Sequence, residues 1–305
     1  MNNINALRDG DNDAGFYAAV CATDPAGVFR GAALYRSIDA GATYARLSTL
    51  TAESTMGYTT NALANFLSGN IVDELSTINV APLHGTLSST TLTGLLAGVN
   101  MAIVGDEVIG FRDATLEDDG SYTLTGLLRG VRGTEYAMAG HAIGDRFILV
   151  NSSTMVRVPQ TNADIGIERL WKMVAVGRTV ASATPRAFTN SGAGLKPYAP
   201  SHLGGGRNAD DDVILTWVRR NRIDGSWRDS VDVPMSETTE AYEVDIYDDS
   251  DYTTVLRTIS VTAQTATYTA AQQTTDFGSA QATVYFMVAQ ISSVVGRGHA
   301  ASGSV

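Results

Sequence analysis

The amino-acid sequence predicts an all-β protein, with an N-terminal β-rich meander or barrel-like domain followed by a β-sandwich. Three observations favour this fold class. Threonine, valine, tyrosine and isoleucine are abundant, and short apolar runs are broken by turn residues that include many of the 30 glycines. Few windows carry the period of a helix. In the C-terminal third, apolar residues recur at the period of two expected for strands that bury one face.

The N-terminal part predicts a series of strands joined by turns. Residues 16–23 and 30–37 are predicted strands that flank the turn 24–27, Asp-Pro-Ala-Gly. Residues 100–112 predict a hairpin that turns at Gly105-Asp106. The octapeptide Thr-Leu-Thr-Gly-Leu-Leu-Ala-Gly at 91–98 recurs at 123–130 with one change, alanine to arginine. We expect both copies to share a strand and its glycine framework.

The stretch 126–135, Gly-Leu-Leu-Arg-Gly-Val-Arg-Gly-Thr-Glu, predicts a rigid corner. Three glycines within eight residues suit tight turns with positive φ, and arginines between them can direct paired donors at fixed carboxylates or carbonyls. We expect both arginines to bond Glu135 and nearby carbonyls inside the domain rather than a partner. The residues of this structural motif are Gly126, Arg129, Gly130, Arg132, Gly133 and Glu135.

A change in composition predicts the domain boundary. Glycine, serine, proline and alanine crowd the region before residue 208, so we predict a first domain at 1–190, a linker at 191–207 and a sandwich at 208–305. Three strands of the sandwich are predicted from alternation. Their inward faces are Val213, Leu215 and Trp217; Tyr242, Val244 and Ile246; and Val284, Phe286 and Val288.

The net charge argues against two classes of partner. It is −11, whereas nucleic acids and anionic membranes are bound by basic surfaces. No uncharged apolar run reaches the length of a membrane span, and the N-terminus has no apolar signal segment. We therefore expect synthesis in the cytoplasm of the producing cell, without nucleic-acid binding and without a membrane span.

The sequence contains none of the common motifs of catalysis, metal binding or cofactor binding. The sequence has no HExxH, GxSxG, CxxC or Walker pattern, and the single Cys21 excludes an internal disulfide. Residues 9–13 begin like a calcium-binding EF-hand loop, but Ala14 and Val20 stand where that loop needs glycine and glutamate. We expect a protein that is not an enzyme, with no catalytic residue, cofactor or metal; weak calcium binding by acidic loops stays an open alternative.

A second set of residues forms a candidate partner surface in the sandwich. Trp217 is predicted to lie in the core. Arg220 and Arg222 lie on the opposite strand face and are available to pair with acids at 245–251. Aromatic residues on exposed loops can also contact a receptor or glycan. The residues of this candidate surface are Arg220, Arg222, Trp227, Tyr247 and Tyr252.

Five C-terminal segments resemble a fibronectin type III domain. They are 197–200, 213–217, 242–246, 267–271 and 285–298, and they match that domain in pattern and spacing. The resemblance implies a seven-stranded sandwich in which Trp217 takes the place of the core tryptophan on an early strand.

A larger set of motifs resembles the C-terminal part of tail-tip and baseplate-hub proteins of long-tailed phages and gene transfer agents. The segments are 31–37, 106–112, 122–135, 217–222 and 269–278, in this order. The resemblance implies a structural component of the tail tip of a virion, in a homotrimer that contacts other tail-tip or baseplate proteins and the host surface. The hub-forming and hydrolase-related regions of longer relatives have no counterpart here. Two alternatives remain: a receptor- or glycan-binding module, and an accessory to a cell-wall hydrolase.

Overall fold

The computed structural model describes residues 1–22, 28–67, 71–225, 229 and 231–305, and the all-β fold class is confirmed. The chain forms two compact units. One contains Met1–Leu7 and Asp13–Gly194, and the other contains Arg8–Asn12 and Leu195–Val305. Among the described residues, no helix is long and apolar enough to cross a membrane.

The first unit contains twelve strands and one short α-helix within its described residues. The strands are β1 Phe16–Ala18, β2 Ala32–Ser37, β3 Ala45–Leu50, β4 Met56–Thr59, β5 Ile78–His84, β6 Met101–Val104, β7 Glu107–Leu116, β8 Tyr122–Val131, β9 Arg146–Leu149, β10 Val156–Val158, β11 Glu168–Ala175 and β12 Arg186–Thr189. Helix α1 is Leu92–Leu96, and 3-10 turns lie at Glu135–Ala137, Asn162–Asp164 and Val180–Ser182.

Six of these strands close into a barrel in the order β4-β5-β8-β7-β6-β9. Apolar side chains that alternate along the strands fill the interior, among them Val80, Phe111, Leu124 and Phe147. The outer face of β6, β7 and β9 is also covered, because Ile103, Val108 and Ile148 pack against residues near the N-terminus. The predicted hairpin at 100–112 is confirmed as β6 and β7.

A second sheet, β12-β11-β2-β3, lies beside the small sheet formed by β1 and β10. Its core contains Phe16, Leu34, Leu50 and Trp171, and the rings of Phe16 and Trp171 meet edge to face at a centroid distance of 5.0 Å. The strands predicted at 16–23 and 30–37 are therefore present, though shorter than predicted. The predicted turn at 24–27 lies outside the described residues.

The two copies of the octapeptide fold differently, so the prediction of a shared strand is wrong. The copy at 123–130 lies in β8, whereas the copy at 91–98 contains helix α1. Thr91 caps this helix by accepting a hydrogen bond of 3.0 Å from the backbone N–H of Gly94, and Leu95 is buried. Eight residues have only a weak intrinsic preference for helix or strand. The tertiary contacts of each copy therefore decide its conformation.

The second unit is a sandwich of two antiparallel sheets. Its strands are β13 Ser201–Arg207, β14 Val213–Val218, β15 Tyr242–Tyr247, β16 Val255–Val261, β17 Thr265–Tyr268, β18 Tyr285–Ser292 and β19 Gly296–Ser304, with helix α2 at Ala270–Phe277. The sheet orders are β13-β14-β17 and β16-β15-β18-β19. Seven strands in sheets of three and four form the fibronectin type III-like sandwich that the sequence predicts.

The core of this sandwich contains every inward-facing residue predicted from alternation. Trp217 is only 3 % exposed, and its ring meets the ring of Tyr242 at a centroid distance of 5.2 Å. The core position predicted for Trp217 is therefore confirmed. The segment 191–207, predicted as a linker, contributes its last seven residues to the sandwich as β13.

Strand register places three loops at one end of the barrel. Tyr58 of β4 pairs with Arg146 of β9, and Val104 of β6 pairs with Phe147 of β9. Val108 pairs with Val131, at the start of β7 and the end of β8. The loop segments 60–67, 71–77, 105–106 and 132–145 therefore meet at this end, which we call the Arg129 end. Leu116, at the last position of β7, marks the opposite end.

Candidate functional site

Two glycines of β8 turn Arg129 into the barrel. Tyr122 and Leu124 face the interior, and so does Leu127, so the alternation shifts by one residue at Gly126 (φ 61°). Arg129 follows Leu127 at the period of two and is buried.

A bulge then returns β8 to its original alternation. Val108 pairs with Val131 but Gly110 pairs with Leu128, so β8 holds one extra residue at this point. Gly130, with φ of 60°, supplies the left-handed conformation, and Val131 packs on the outer face.

The Arg129 guanidinium is held by groups from four segments of the chain. Nε and Nη2 donate to the two carboxylate oxygens of Glu107, each at 2.9 Å. Nη1 donates to the carbonyl of Ala64 at 3.0 Å, and Nη2 also reaches the carbonyl of Met138 at 3.4 Å. Nη1 lies 3.6 Å from Asp73 Oδ2. The side chain is 1 % exposed, so these contacts replace its hydration.

Glu107 is the centre of the network. As the first residue of β7 it shares the inward face with Ile109 and Phe111, and it is fully buried. Besides the two bonds from Arg129, its Oε1 accepts the Gly130 N–H at 2.6 Å, and its Oε2 lies 2.6 Å from Nε2 of His141. Four donors fill the accepting capacity of this carboxylate. Burial raises the pKa of Glu107, but the hydrogen bonds from His141 and Arg129 outweigh it and the pKa is lowered.

Asp73 connects the loop 71–77 to the same charges. It is 1 % exposed, and its backbone exchanges hydrogen bonds with Leu127 at 2.7 and 2.9 Å. Its Oδ1 accepts the backbone N–H groups of Leu75 and Ser76. Burial raises the pKa of Asp73, but these hydrogen bonds and the charge of Arg129 have the larger, opposite effect. The pKa is therefore lowered, and the side chain is ionised.

His141 and Asp145 complete the network on the loop 132–145. The imidazole is 3 % exposed and its Nδ1 lies 2.9 Å from Asp145 Oδ2. Burial lowers the pKa of His141, whereas the hydrogen bonds to Glu107 and Asp145 raise it, and the net direction is upward. The buried side chains of Asp73, Glu107, Arg129 and His141 and the partly exposed Asp145 therefore form one connected system that joins β7 and β8 to two loops.

The carboxylate of Glu107 is fully engaged within the network. Its two oxygens accept hydrogen bonds from other side chains and from the backbone. Within the part of the chain that the structure describes, no cluster of three or more His, Cys, Asp or Glu residues is arranged to hold a metal ion.

The remaining motif residues surround the network. Arg132 (φ 59°) and Gly133 (φ 75°) form the turn after β8, and their carbonyls accept hydrogen bonds from Asn5 at 2.8 and 3.1 Å. Glu135 begins the 3-10 turn and packs against Gly130. Arg129 is bonded to groups inside its own unit, as predicted. Its carboxylate partner, however, is Glu107 rather than the predicted Glu135, because the inward faces of β7 and β8 meet across the ladder.

Two of the five residues of the candidate partner surface, Arg222 and Tyr247, are buried. Arg222 is 6 % exposed and donates to Glu237 at 3.1 Å and to Asn12 at 2.7 Å, so it is a buried residue. Arg220 lies over the ring of Tyr198, with the guanidinium carbon 5.5 Å from the ring centroid.

The aromatic members of that surface divide into two groups. Tyr247 is buried, and Tyr252 stacks edge to face on it at 5.5 Å while donating its hydroxyl to the carbonyl of Gly303 at 3.2 Å. Tyr285 adds a third ring, 6.0 Å from Tyr252. These tyrosines pack on each other rather than forming an open aromatic platform. Trp227 lies outside the described residues.

Sequence reasoning missed the acids and the histidine of the network. One signal was available for Glu107, because a charged residue at the period of two with Ile109 and Phe111 falls on an inward strand face. No comparable signal marks Asp73, His141 or Asp145, which lie on loops and reach Arg129 only in the folded barrel.

The barrel with its buried charges and the fibronectin type III-like sandwich define the class of the protein as an all-β, two-unit architecture. The family model "Rcc01698-like, C-terminal" matches residues 54–148. This match covers less than half of the chain, yet it coincides with β4 to β9 and contains every member of the ionic network. No curated protein matches the sequence.

Solved structures with partial similarity include three multi-domain proteins. Titin domains A168-A170 give a TM-score of 0.27 at 9 % identity, covering 83 % of this chain and 98 % of that one. Chicken CNTN1 domains FN1-FN3 give 0.25 at 9 % identity, covering 82 % and 98 %. Domains d3-d4 of rat CD45 give 0.26 at 13 % identity, covering 51 % and 69 %. The sandwich is defined by its strand order, independently of these scores.

Proposed function

We propose that this protein is a structural component of the tail tip or baseplate of a phage or phage-like particle, where it contributes to assembly and host attachment. It is made in the host cytoplasm and incorporated into the virion. One observation carries the proposal: the motif 122–135, which resembles tail-tip proteins, builds the charged interior of a barrel whose loops expose large apolar side chains.

Several large apolar side chains are exposed at the Arg129 end of the barrel. Leu75 is 94 % exposed and Leu67 is 89 % exposed, although neighbouring residues of the same loop are fixed by Asp73 and Ala64. Ile71, Tyr136 and Ile143 are also exposed. Side chains of this size on anchored loops are typical of surfaces that another protein covers.

The expected partners are other tail-tip or baseplate proteins and further copies of this chain in a homotrimer. The network supports such a role because it fixes the loops before association, and a surface that is already ordered loses less entropy on binding. The sandwich contributes the second unit, whose loops and edge strands are available for contacts with the host surface.

Composition of purified particles tests the location. We expect mass spectrometry to detect this chain in particles from a producing strain, and immunogold labelling to mark one end of the tail. A particle preparation with complete tails that lack the chain would refute the proposal.

Substitutions at the exposed loops test the assembly surface. Leu75→Glu and Ile143→Glu should leave the melting temperature of the isolated protein unchanged, because both side chains are exposed, and should prevent incorporation into particles. Leu116→Glu is the matched control, since Leu116 is 62 % exposed at the opposite end of the barrel. Equal incorporation of all three variants would contradict an assembly role for the Arg129 end.

The alternative of a glycan-binding module has less support from the geometry. Tyr247 and Tyr252 were two of its three aromatic candidates, and their rings are engaged with each other. A glycan array with the full chain is the direct test. Specific binding that is lost in Trp227→Ala would favour this alternative over a purely structural role.

A further inference from the structure

His141 lies between two carboxylates. Its Nε2 is 2.6 Å from Glu107 Oε2 and its Nδ1 is 2.9 Å from Asp145 Oδ2, and the side chain is 3 % exposed. A neutral imidazole donates one hydrogen bond, from one of its two nitrogens. An ionised carboxylate only accepts hydrogen bonds. Both short contacts are satisfied at once only when the ring carries two protons.

Both carboxylates accept hydrogen bonds from groups other than His141. Glu107 also accepts two bonds from Arg129 and one from the Gly130 backbone, an environment that stabilises its charge. Asp145 Oδ2 also accepts the backbone N–H of Ala142 at 3.1 Å. Because each carboxylate oxygen that contacts His141 also accepts another hydrogen bond, the geometry favours the proton on the imidazole.

We propose that protonated His141 links the turn 141–145 to the charged interior of the barrel, and that this link depends on pH. We call the set of His141, Glu107 and Asp145 the clasp. In the protonated form, the ring bridges Glu107 on β7 and Asp145 on the loop. In the neutral form, one of the two bridges is lost and a nitrogen lone pair faces a carboxylate oxygen.

The bridge to Asp145 is the one that opens. Asp145 has a side-chain exposure of 21 %, so water replaces the lost donor, whereas Glu107 is fully buried and cannot be rehydrated. The neutral ring therefore keeps its proton on Nε2, toward Glu107, and releases Asp145. The backbone bonds from Gly144 N–H to the Thr59 carbonyl and from Thr59 N–H to the Asp145 carbonyl, both 2.9 Å, lie beside this opening.

The charges around the ring determine the direction of the pH dependence. Glu107 and Asp145 favour the proton, while burial and the charge of Arg129 on β8 oppose it, and the resulting pKa of His141 is raised. A raised pKa in the closed form means that the clasp is at full strength below the ordinary histidine pKa, about 6.5. The stabilisation is lost as pH rises through the raised pKa of the closed form.

Two measurements on the full chain test this device. Long-range nitrogen–proton NMR of the histidine rings should show His141 doubly protonated at pH 7. Amide exchange at Gly144 and Thr59, corrected for the intrinsic rate, should show protection that falls with increasing pH. The fall should be about tenfold for each pH unit by which closure raises the pKa of His141.

Three variants sharpen the test. In His141→Gln, the protection of Gly144 and Thr59 should become independent of pH between pH 6 and pH 9, because the imidazole whose charge changes in this range is gone. Asp145→Asn should lower the pKa of His141 and weaken the pH dependence, since the amide carries no charge. His84→Gln is the matched control: His84 lies 3.6 Å from Glu53 and its side chain is 39 % exposed, so the wild-type profile should persist.

A neutral His141 at pH 7, or protection of Gly144 that does not change between pH 6 and pH 9, would overturn the inference. If His141→Gln fails to fold, the wild-type titration and Asp145→Asn still decide between these outcomes. The result is independent of the tail-tip proposal, since each readout uses the isolated protein.

Discussion

Removing Arg129 should destabilise the barrel severely. Arg129→Ala leaves Glu107 as a buried carboxylate that has lost two of its four donors, and it leaves the carbonyls of Ala64 and Met138 without the guanidinium. The substitution also brings Asp73 and Glu107 together without the positive charge that lay between them. The three acids of the network are then faced by His141 alone.

The expected magnitude comes from the burial of the pair. Breaking a buried ion pair by deleting one partner costs about 3–5 kcal/mol, because the other charge remains buried. For a unit of this size, each kcal/mol lowers the melting temperature by about 2–4 °C, so the total fall should be about 6–20 °C. Part of the lost stability will be recovered if Glu107 takes up a proton. The difference in stability between the variant and the wild type should therefore be smaller at acidic pH.

Urea unfolding followed by circular dichroism measures the effect, with Arg112→Ala as the matched control. Arg112 also makes a two-pronged contact, to Glu74 at 2.6 and 2.9 Å, but on the surface of the same barrel. Surface pairs contribute little, so Arg112→Ala should shift the unfolding midpoint far less. Equal shifts for the two variants, or a loss below about 1 kcal/mol for Arg129→Ala, would show that the buried network does not hold the barrel together.

Two further predictions concern the glycine framework and the sandwich. Gly130→Ala should cost about 1–3 kcal/mol in urea unfolding, since an added Cβ would lie 2.8 Å from Glu135 Cγ at a φ of 60°. Gly120→Ala has a positive φ but no atom within 4 Å, so it should cost less; the reverse order would contradict the steric argument. Trp217→Ala should cost about 3–5 kcal/mol and lower amide protection in β15 and β18 while leaving β7 and β8 protected. Loss of protection in the barrel strands as well would show that the two units unfold together.

The strands of the sandwich could be predicted because each buries one face. A period of two is visible in the sequence wherever apolar and polar residues alternate, as at Val213, Leu215 and Trp217. The closure of the barrel has no such signal. It depends on the pairing of β4 with β9, whose residues are about ninety positions apart, and pairing over that distance is set by the packed interior.

The partner of Arg129 shows why the candidate site could only be predicted in part. Glu135 is six residues away in sequence and Glu107 is twenty-two residues away, so proximity along the chain favours the wrong acid. The correct choice requires the register of β7 and β8 and the two changes of alternation at Gly126 and Gly130. The glycines themselves were recognisable as positions for positive φ, but the direction in which they turn a neighbouring side chain was not.

We infer that the buried pair selects the register of the barrel more than it adds stability. Leu127 and Leu128 are adjacent and both apolar, so a slip of β8 by one residue would still place a leucine inside. The same slip would turn Arg129 outward and leave Glu107 unpaired in the core, which is strongly unfavourable. Apolar packing distinguishes these two registers poorly, whereas the charges distinguish them well.

The double variant Glu107→Leu/Arg129→Leu separates register from stability. Replacement of a buried ion pair by apolar residues of similar size is often neutral or stabilising, so the free energy of unfolding should stay near the wild-type value or exceed it. Release of the register should instead produce more than one set of amide resonances for β7 and β8. A single set, with wild-type pairing of Val108 and Val131, would mean that the glycine bulge fixes the register without the charges.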